Sequence, residues 1–422
     1  MQKPSFYSTI DFSKISAVAE QLRNHKQNKR DFIVPSALIK DAHGGILINM
    51  KGFTVPENKG NMWVQHSFTK WEEAEAFADK IGSSIGIVDP EKDSLEVTTS
   101  ERAKSQLISK LIMPYKYYQE LYANGLGHLA RHNVDELLAS SKDQLLVRCM
   151  HREGPSSSGM HIRAILSNKY RCMDNYDLFF HAASEIQKKG ADIVKVRLDD
   201  DGRYFEITAC HPQMAAVVNK ERSEETNIAH RWSNRLKGME DWQRAAVVIN
   251  NSETGDGGLN VRQAIITDVC FNTSIVGTLT RAIHIGGRNE KNGEIDWAAD
   301  TRVKEAEVVW LKVRDAIDHS FDEVKFKEAI DAMNGLTKIQ ARSEDAQVKL
   351  VDWAMAGSLS DKERDRILAN ISNSGDLTAY GVLQGITELA HESETGEKAA
   401  ALEAAGGKIL SAGTSKIRQL VA

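Results

Sequence analysis

Between Met160 and Arg288 the chain alternates short runs of β-branched and aromatic residues with turn signals, and only one stretch there has helical spacing. The runs are MHIRAILS, ADIVKVRL, RYFEITACH, RAAVVIN, LNVRQAII, TDVCFNTSIVG and TRAIHIGG. A period of two between turns demands strand pairing, because only a sheet gives such residues a buried face. Asp199-Asp200-Asp201-Gly202 and Asn250 to Gly258 are the hairpin signals. The helical exception is Tyr176 to Lys188, with Asn175 as its expected cap and Gly190 at its end. This segment predicts the folded heart of an α+β protein.

The flanks read differently. Residues 12–30 place Ile15, Val18, Ala19 and Leu22 on one helical face. Two β-rich runs surround His43-Gly44-Gly45, and Met62 to Phe68 supplies a further strand. Helices are expected over Thr69 to Ile81 and Glu101 to Leu111, with two more after Pro114, where Asn133 and Asp135 read as caps. Leu145 to Met150 is a strand ending at the connector HREGPSSSG. After Asp300 apolar residues recur three and four apart, with no constant longer repeat. The expected class is α+β, with a mixed or antiparallel β-sheet core with helices followed by an all-helical C-terminal region. The expected units are 1–30, a helical arm; 31–150, an α+β segment; 160–298, the central core; and 299–422, the helical region.

With 422 residues the chain exceeds one ordinary core. Its 41% apolar and 27% charged residues exclude disorder throughout. A net charge of -5 dictates no partner, so a nucleic-acid site needs its cations gathered locally. No apolar run approaches the ~20 residues that span a bilayer, and Met1 to Lys14 lacks a secretory h-region. A cytoplasmic protein without membrane contact is expected. Cys149, Cys172, Cys210 and Cys270 are far apart and form no C-x-x-C pair, which argues for small buried hydrophobes rather than zinc ligands. No cofactor signature occurs.

Several blocks carry a family resemblance. They are RAILSNKYRCMDN (from Arg163), INNSETGDGGLNV (from Ile249), DVCFNTSIV (from Asp268), RAIHIGGR (from Arg281), YGVLQGITELAHE (from Tyr380) and LEAAGGKIL (from Leu402). In this order, from about Ile33 to Leu410, the chain resembles the phage- and plasmid-borne proteins grouped as domain of unknown function 932. Phe271-Asn272-Thr273-Ser274 departs from that family's frequent Cys-Thr-Asn-Gly, and Leu383-Gln384-Gly385 from its Val-Asn-Ala. The resemblance brings no established activity; its usual genetic setting implies DNA handling.

Charge is concentrated around the connector. Arg148, Arg152, Arg163, Lys169 and Arg171 face one acid, Glu153, over residues 145–173, with Tyr170 among them. Cations for phosphates beside an aromatic ring for bases are what single-stranded nucleic acid requires. The opposing reading makes Arg163, Tyr170 and Arg171 internal, paired with Asp174 or Asp177. Arg281 and Arg288 would extend the basic surface if their strand lies alongside.

The glycine-rich Asn250 to Gly258 loop offers amides to a phosphate but lacks the lysine of a Walker loop. Its Glu253 and Asp256 could instead hold a divalent cation. His128 and His132 lack the Glu of H-E-x-x-H and read as surface residues. No nucleophile elbow, Rossmann or kinase signature appears.

The leading expectation is therefore a mobile-element DNA-handling protein, binding without catalysis. It would hold single-stranded nucleic acid through Arg148, Arg152, Arg163, Lys169, Tyr170, Arg171, Arg281 and Arg288, as a strand-annealing or protecting homo-oligomer. The alternatives are a metal-dependent nuclease or phosphoesterase using Glu253 and Asp256, and a protein-binding factor against host defence.

Overall fold

The computed structural model describes residues 12–42, 45–49, 53–58, 63–81, 86–87, 95–151, 160–170, 173–199, 201–218, 241–268, 270–282 and 299–422. Its elements confirm the α+β class and the helical C-terminal region.

Helix α1 (Phe12–Asn28) leads into strand β1 (Lys29–Pro35). A first sheet joins β1 to β2 (Ile39–Ala42), β3 (Gly45–Ile48), β7 (Leu95–Thr99), β8 (Gln144–His151) and β9 (Met160–Ser167), in the order β1-β8-β9-β7-β3-β2. One face is apolar. Phe32, Val34, Val147 and Ile165 pack there beneath α3 (Glu101–Lys110), α4 (Tyr115–Ala123) and α5 (Gly127–Ser140). Between β3 and β7 lie β4 (Phe53–Asn58), β5 (Trp63–Phe68), α2 (Trp71–Ile81) and β6 (Gly86–Ile87), which form a small separate sheet under one helix.

Strands β8 and β9 pair antiparallel, from Leu145 opposite Ser167 to His151 opposite Met160. The boundary expected at the connector thus falls inside a sheet, and β9 belongs with residues 29–151. Asn133 and Asp135 are not caps. Both lie within α5, and Asp135 Oδ1 accepts the Asp41 backbone N–H at 2.8 Å.

A second sheet is wholly antiparallel: β10 (Asp192–Leu198), β11 (Phe205–Val217), β12 (Trp242–Asn251), β13 (Leu259–Thr267) and β14 (Thr273–Ala282), in chain order. Phe205, Ile207, Val247 and Ile249 point to one face, where α1, α6 (Asn175–Lys188) and α7 (Ala299–Ser320) cover them. Four register shifts interrupt three of its four pairings, near Ile193, Cys210, Val261 and Gln263, and such bulges add twist and bend. The result is strong curling. Lys195 Nζ on β10 donates to Thr273 Oγ1 on β14 at 3.2 Å, although flat strands four apart would stand roughly 19 Å from each other.

The remaining helices are α8 (Glu323–Leu336), α9 (Glu344–Met355), α10 (Asp361–Ser374), α11 (Ala379–Leu389), α12 (Gly396–Ser411) and α13 (Thr414–Val421). Ser343, Ser360 and Thr395 cap α9, α10 and α12 by accepting backbone N–H groups, and Glu363 completes a capping box on α10. Helix α12 spans the gap between the curled sheet's edges. Its Glu403 binds Lys195 at 2.9 Å and Arg197 at 3.1 Å on β10. Burial works to raise the Glu403 carboxyl, but the two cations overturn it and leave it below the usual glutamate value. At Gly407 the helix backbone lies against β14, and an added Cβ would sit 1.5 Å from the Ile275 carbonyl oxygen.

Gly407→Ala is therefore expected to push α12 off β14 and cost roughly 3 kcal/mol or more, measured by urea unfolding. Ser372 and Asn373, exposed near the end of α10, supply surface positions for control alanines.

Candidate functional site

The alternation of a strand puts Lys29 and Asp31 of β1 on one face of the first sheet, away from Phe32 and Val34. Arg148 stands directly opposite Asp31, and its Nε donates to Asp31 Oδ2 at 2.9 Å. A register shift between Arg148 and Cys149 brings Arg163 of β9 into the same cluster. Into this basic face the second sheet inserts the tip of its β12–β13 hairpin, residues 252–258.

Glu253 is the centre of the contact. Its Oε1 meets Lys29 Nζ at 2.9 Å and its Oε2 meets Arg163 Nη2 at 2.7 Å. The backbone N–H of Asn175, at the start of α6, donates to Oε1 at 2.6 Å. Arg148 Nη1 donates to the Glu253 carbonyl oxygen at 2.7 Å. Asp174, the residue before α6, completes the set with Lys29 at 2.7 Å and Arg148 at 3.3 Å. Three cations thus face three carboxylates. Arg148 and Arg163 are each 1% exposed and Glu253 is 2% exposed.

Neighbouring groups fasten the same hairpin. Tyr170 donates its hydroxyl to the Ser252 carbonyl at 3.1 Å, and Gln106 donates to that of Thr254 at 2.6 Å. Asn251 donates to Asn175 Oδ1 at 2.8 Å, so Asn175 acts inside the junction rather than as a cap. Arg163 also donates to the Asp201 carbonyl at 2.9 Å, beside Gly202, whose φ of +67° suits glycine.

Burial alone would raise the Glu253 and Asp174 carboxyls. The cations reverse this: Lys29, Arg163 and Arg148 around Glu253, and Lys29 and Arg148 around Asp174, hold both below their ordinary values. His25 of α1 lies near the cluster, and its burial lowers its pKa.

The expected contact set is corrected accordingly. Arg148, Arg163 and Tyr170 face inward, because the first sheet's second face is a junction and not a surface. Lys169 alone of these neighbours is exposed. Arg152, Arg171 and Arg288 lie outside the described residues; Arg281 sits on β14 opposite Asn260, its side chain not described. The metal alternative gains no support either. Glu253 is saturated by cations, and Asp256 bridges Arg102 and, at 3.5 Å, Arg203. Among the described residues no group of three His, Cys, Asp or Glu side chains is arranged to hold a metal ion. His128 and His132 are exposed on α5.

Sequence reasoning passed over Lys29, Asp31, Arg102 and Arg203; it offered Asp174 as a partner for Arg163 or Arg171, whereas Asp174 pairs with Lys29 and Arg148. For Arg148, the carboxylate opposite it is Asp31, 117 residues away, and a second carboxylate, Asp174, lies 26 residues away, just past the basic run. Among the described residues no helix is long and apolar enough to cross a membrane. Compared with family models, curated proteins and solved structures, the chain matches none.

Glu253→Ala strands Lys29 and Arg163 in a buried site and is expected to cost about 3–5 kcal/mol of stability, measured by urea unfolding. Because Glu253 and Asp174 have depressed folded-state values, the stability they contribute is complete above the unfolded carboxyl range of about 4–4.5. It is lost as pH falls below that range, and Glu253→Gln should flatten that loss.

Proposed function

We propose that this protein binds single-stranded nucleic acid without catalysis, through the rim around the tip of the β12–β13 hairpin. The observation that carries the reading is the meeting of two half-exposed guanidiniums, Arg102 and Arg203, each 44% exposed, at the carboxylate of Asp256, with Arg203 held also by exposed Glu397 at 2.9 Å. Exposed Lys169 lies close by, in the turn that precedes Tyr170. Gly255 and Gly257 are exposed at the tip itself, and the space beyond Gly257 is open.

Side chains so placed are able to exchange a surface carboxylate for phosphate oxygens, and glycine lets a backbone approach closely. Tyr170 is buried, so this rim offers phosphate contacts rather than base stacking. Binding of that kind is sequence-tolerant and strongly salt-dependent. The resemblance to phage- and plasmid-borne proteins supports a DNA-handling setting, with several copies along a strand to protect or anneal it.

A gel shift with single-stranded oligonucleotides at two salt concentrations tests the reading. The combined variant Arg102→Ala, Lys169→Ala, Arg203→Ala should bind at least about tenfold more weakly and lower the slope of log affinity against log salt by about two. Its unfolding transition should stay close to that of the parent chain. Unchanged affinity in the folded triple variant sinks the proposal.

A further inference from the structure

Arg203 belongs to two places at once. Its Nε faces Asp256 of the hairpin rim at 3.5 Å, and its Nη2 meets Glu397 in the first turn of α12 at 2.9 Å. The same residue lines a cleft of about 530 Å³ between α1, the end of β10, the β10–β11 turn and the start of α12. That volume lies in the range of small-molecule sites. Val18, Val196 and Leu198 give the lining an apolar wall, and all three are only half-buried.

The charges of the cleft indicate what enters it. Its other cations are Lys14 and Arg197, and Arg197 is engaged by Glu206 at 2.9 Å and Glu403 at 3.1 Å. Its acids are Asp199, Glu394 and Glu397. Three carboxylates oppose a phosphate inside, so the anionic part of a ligand belongs at Arg203, on the rim side. The part that enters is uncharged, with a flat apolar face for the wall and an N–H for exposed Glu394. A nucleobase has this chemistry. Every base has a π-face, and adenine and cytosine carry an exocyclic amino group that donates to a carboxylate. Thymine has none.

We propose that the cleft receives one base of the strand whose phosphates the rim holds, and that it prefers adenine or cytosine to thymine. The base lies against Val18, Val196 and Leu198, its amino group donates to Glu394, and the adjoining phosphate meets the Arg203 guanidinium. This inference rests on the nucleic-acid reading of the rim and supplies what the rim lacks, because Tyr170 is buried there and offers no ring for stacking.

Fluorescence anisotropy of the full chain with oligo(dC), oligo(dT) and an abasic oligonucleotide of equal length tests this. The abasic strand keeps the phosphates and offers no base. Oligo(dC) should bind about tenfold more tightly than the abasic strand and about threefold more tightly than oligo(dT), with a similar salt slope for all three. The double variant Val18→Thr, Val196→Thr keeps the bulk of the wall but makes it polar. It should weaken oligo(dC) binding about fivefold and leave the abasic strand unaffected. Glu394→Ala, at an exposed position, keeps the fold if the double variant does not. Loss of its charge acts on every strand alike, so the readout is the ratio of oligo(dC) to oligo(dT) affinity, which should fall towards one. Cytidine monophosphate should displace oligo(dC) only at far higher concentration. Equal binding of the three strands, an unchanged ratio in Glu394→Ala, or displacement by the mononucleotide at matching concentration overturns the inference and leaves the rim reading standing. Failure of every strand to bind overturns both.

Discussion

The ion pairs of Glu253 with Lys29 and Arg163 set the relation between the two large sheets, because the first sheet buries three cations with only Asp31 as an acid of its own and the second supplies Glu253. The first sheet carries buried arginines that water does not reach. The second carries a buried carboxylate on a hairpin tip. Either alone would bury uncompensated charge, an arrangement the interior does not tolerate. Docked, the two also bring in Asp174 and the backbone N–H that begins α6, so helix, strand and hairpin are positioned by one cluster. Apolar packing gives each sheet its own core, but orientation at the junction comes from charge and hydrogen bonds.

The periodic parts of this architecture were legible in the sequence, and for a physical reason. A strand or helix buries one face, so its pattern is local, and α1, β12, β13 and the helices from α8 to α12 stand where the spacing places them. Features that depend on distant partners were not legible. Arg148 and Arg163 looked like a surface because their acids are remote in the chain. Asp199 reads as a solvated turn residue, and only the packing of α1 and α12 around it creates its cleft. Asn175 is the first residue of α6, yet its amide is used across the junction.

A second buried network links distant blocks of sequence. Asn272 donates to Gln384 Oε1 at 2.7 Å, and Gln384 donates to Tyr380 at 2.8 Å. Tyr380 in turn donates to Asp241 at 2.7 Å. His391, at the exposed edge of this network, meets Asn272 at 3.1 Å, and desolvation of its ring with Lys195 and Arg197 nearby lowers its pKa. Asn272 and Gln384 form a matched pair across a hairpin turn and a helix, and a change at one alone would leave a buried amide unmatched.

The seating of α12 across the curled sheet also bears on how the protein is made. A ribosome releases the strands β10 to β14 in order, and each pairs with the one before it, β12 with β11 across the longer connection of residues 218–241. Their outer edges, however, are covered by a helix synthesised after all of them. Until it emerges, Lys195 and Arg197 lack Glu403, and the β14 backbone has no Gly406-Gly407 surface against it. Unpaired strand edges in a nascent chain invite pairing with other chains. The β-sheet thus reaches its closed form only when the helical region arrives, which makes that region an intramolecular guard against misassembly during synthesis.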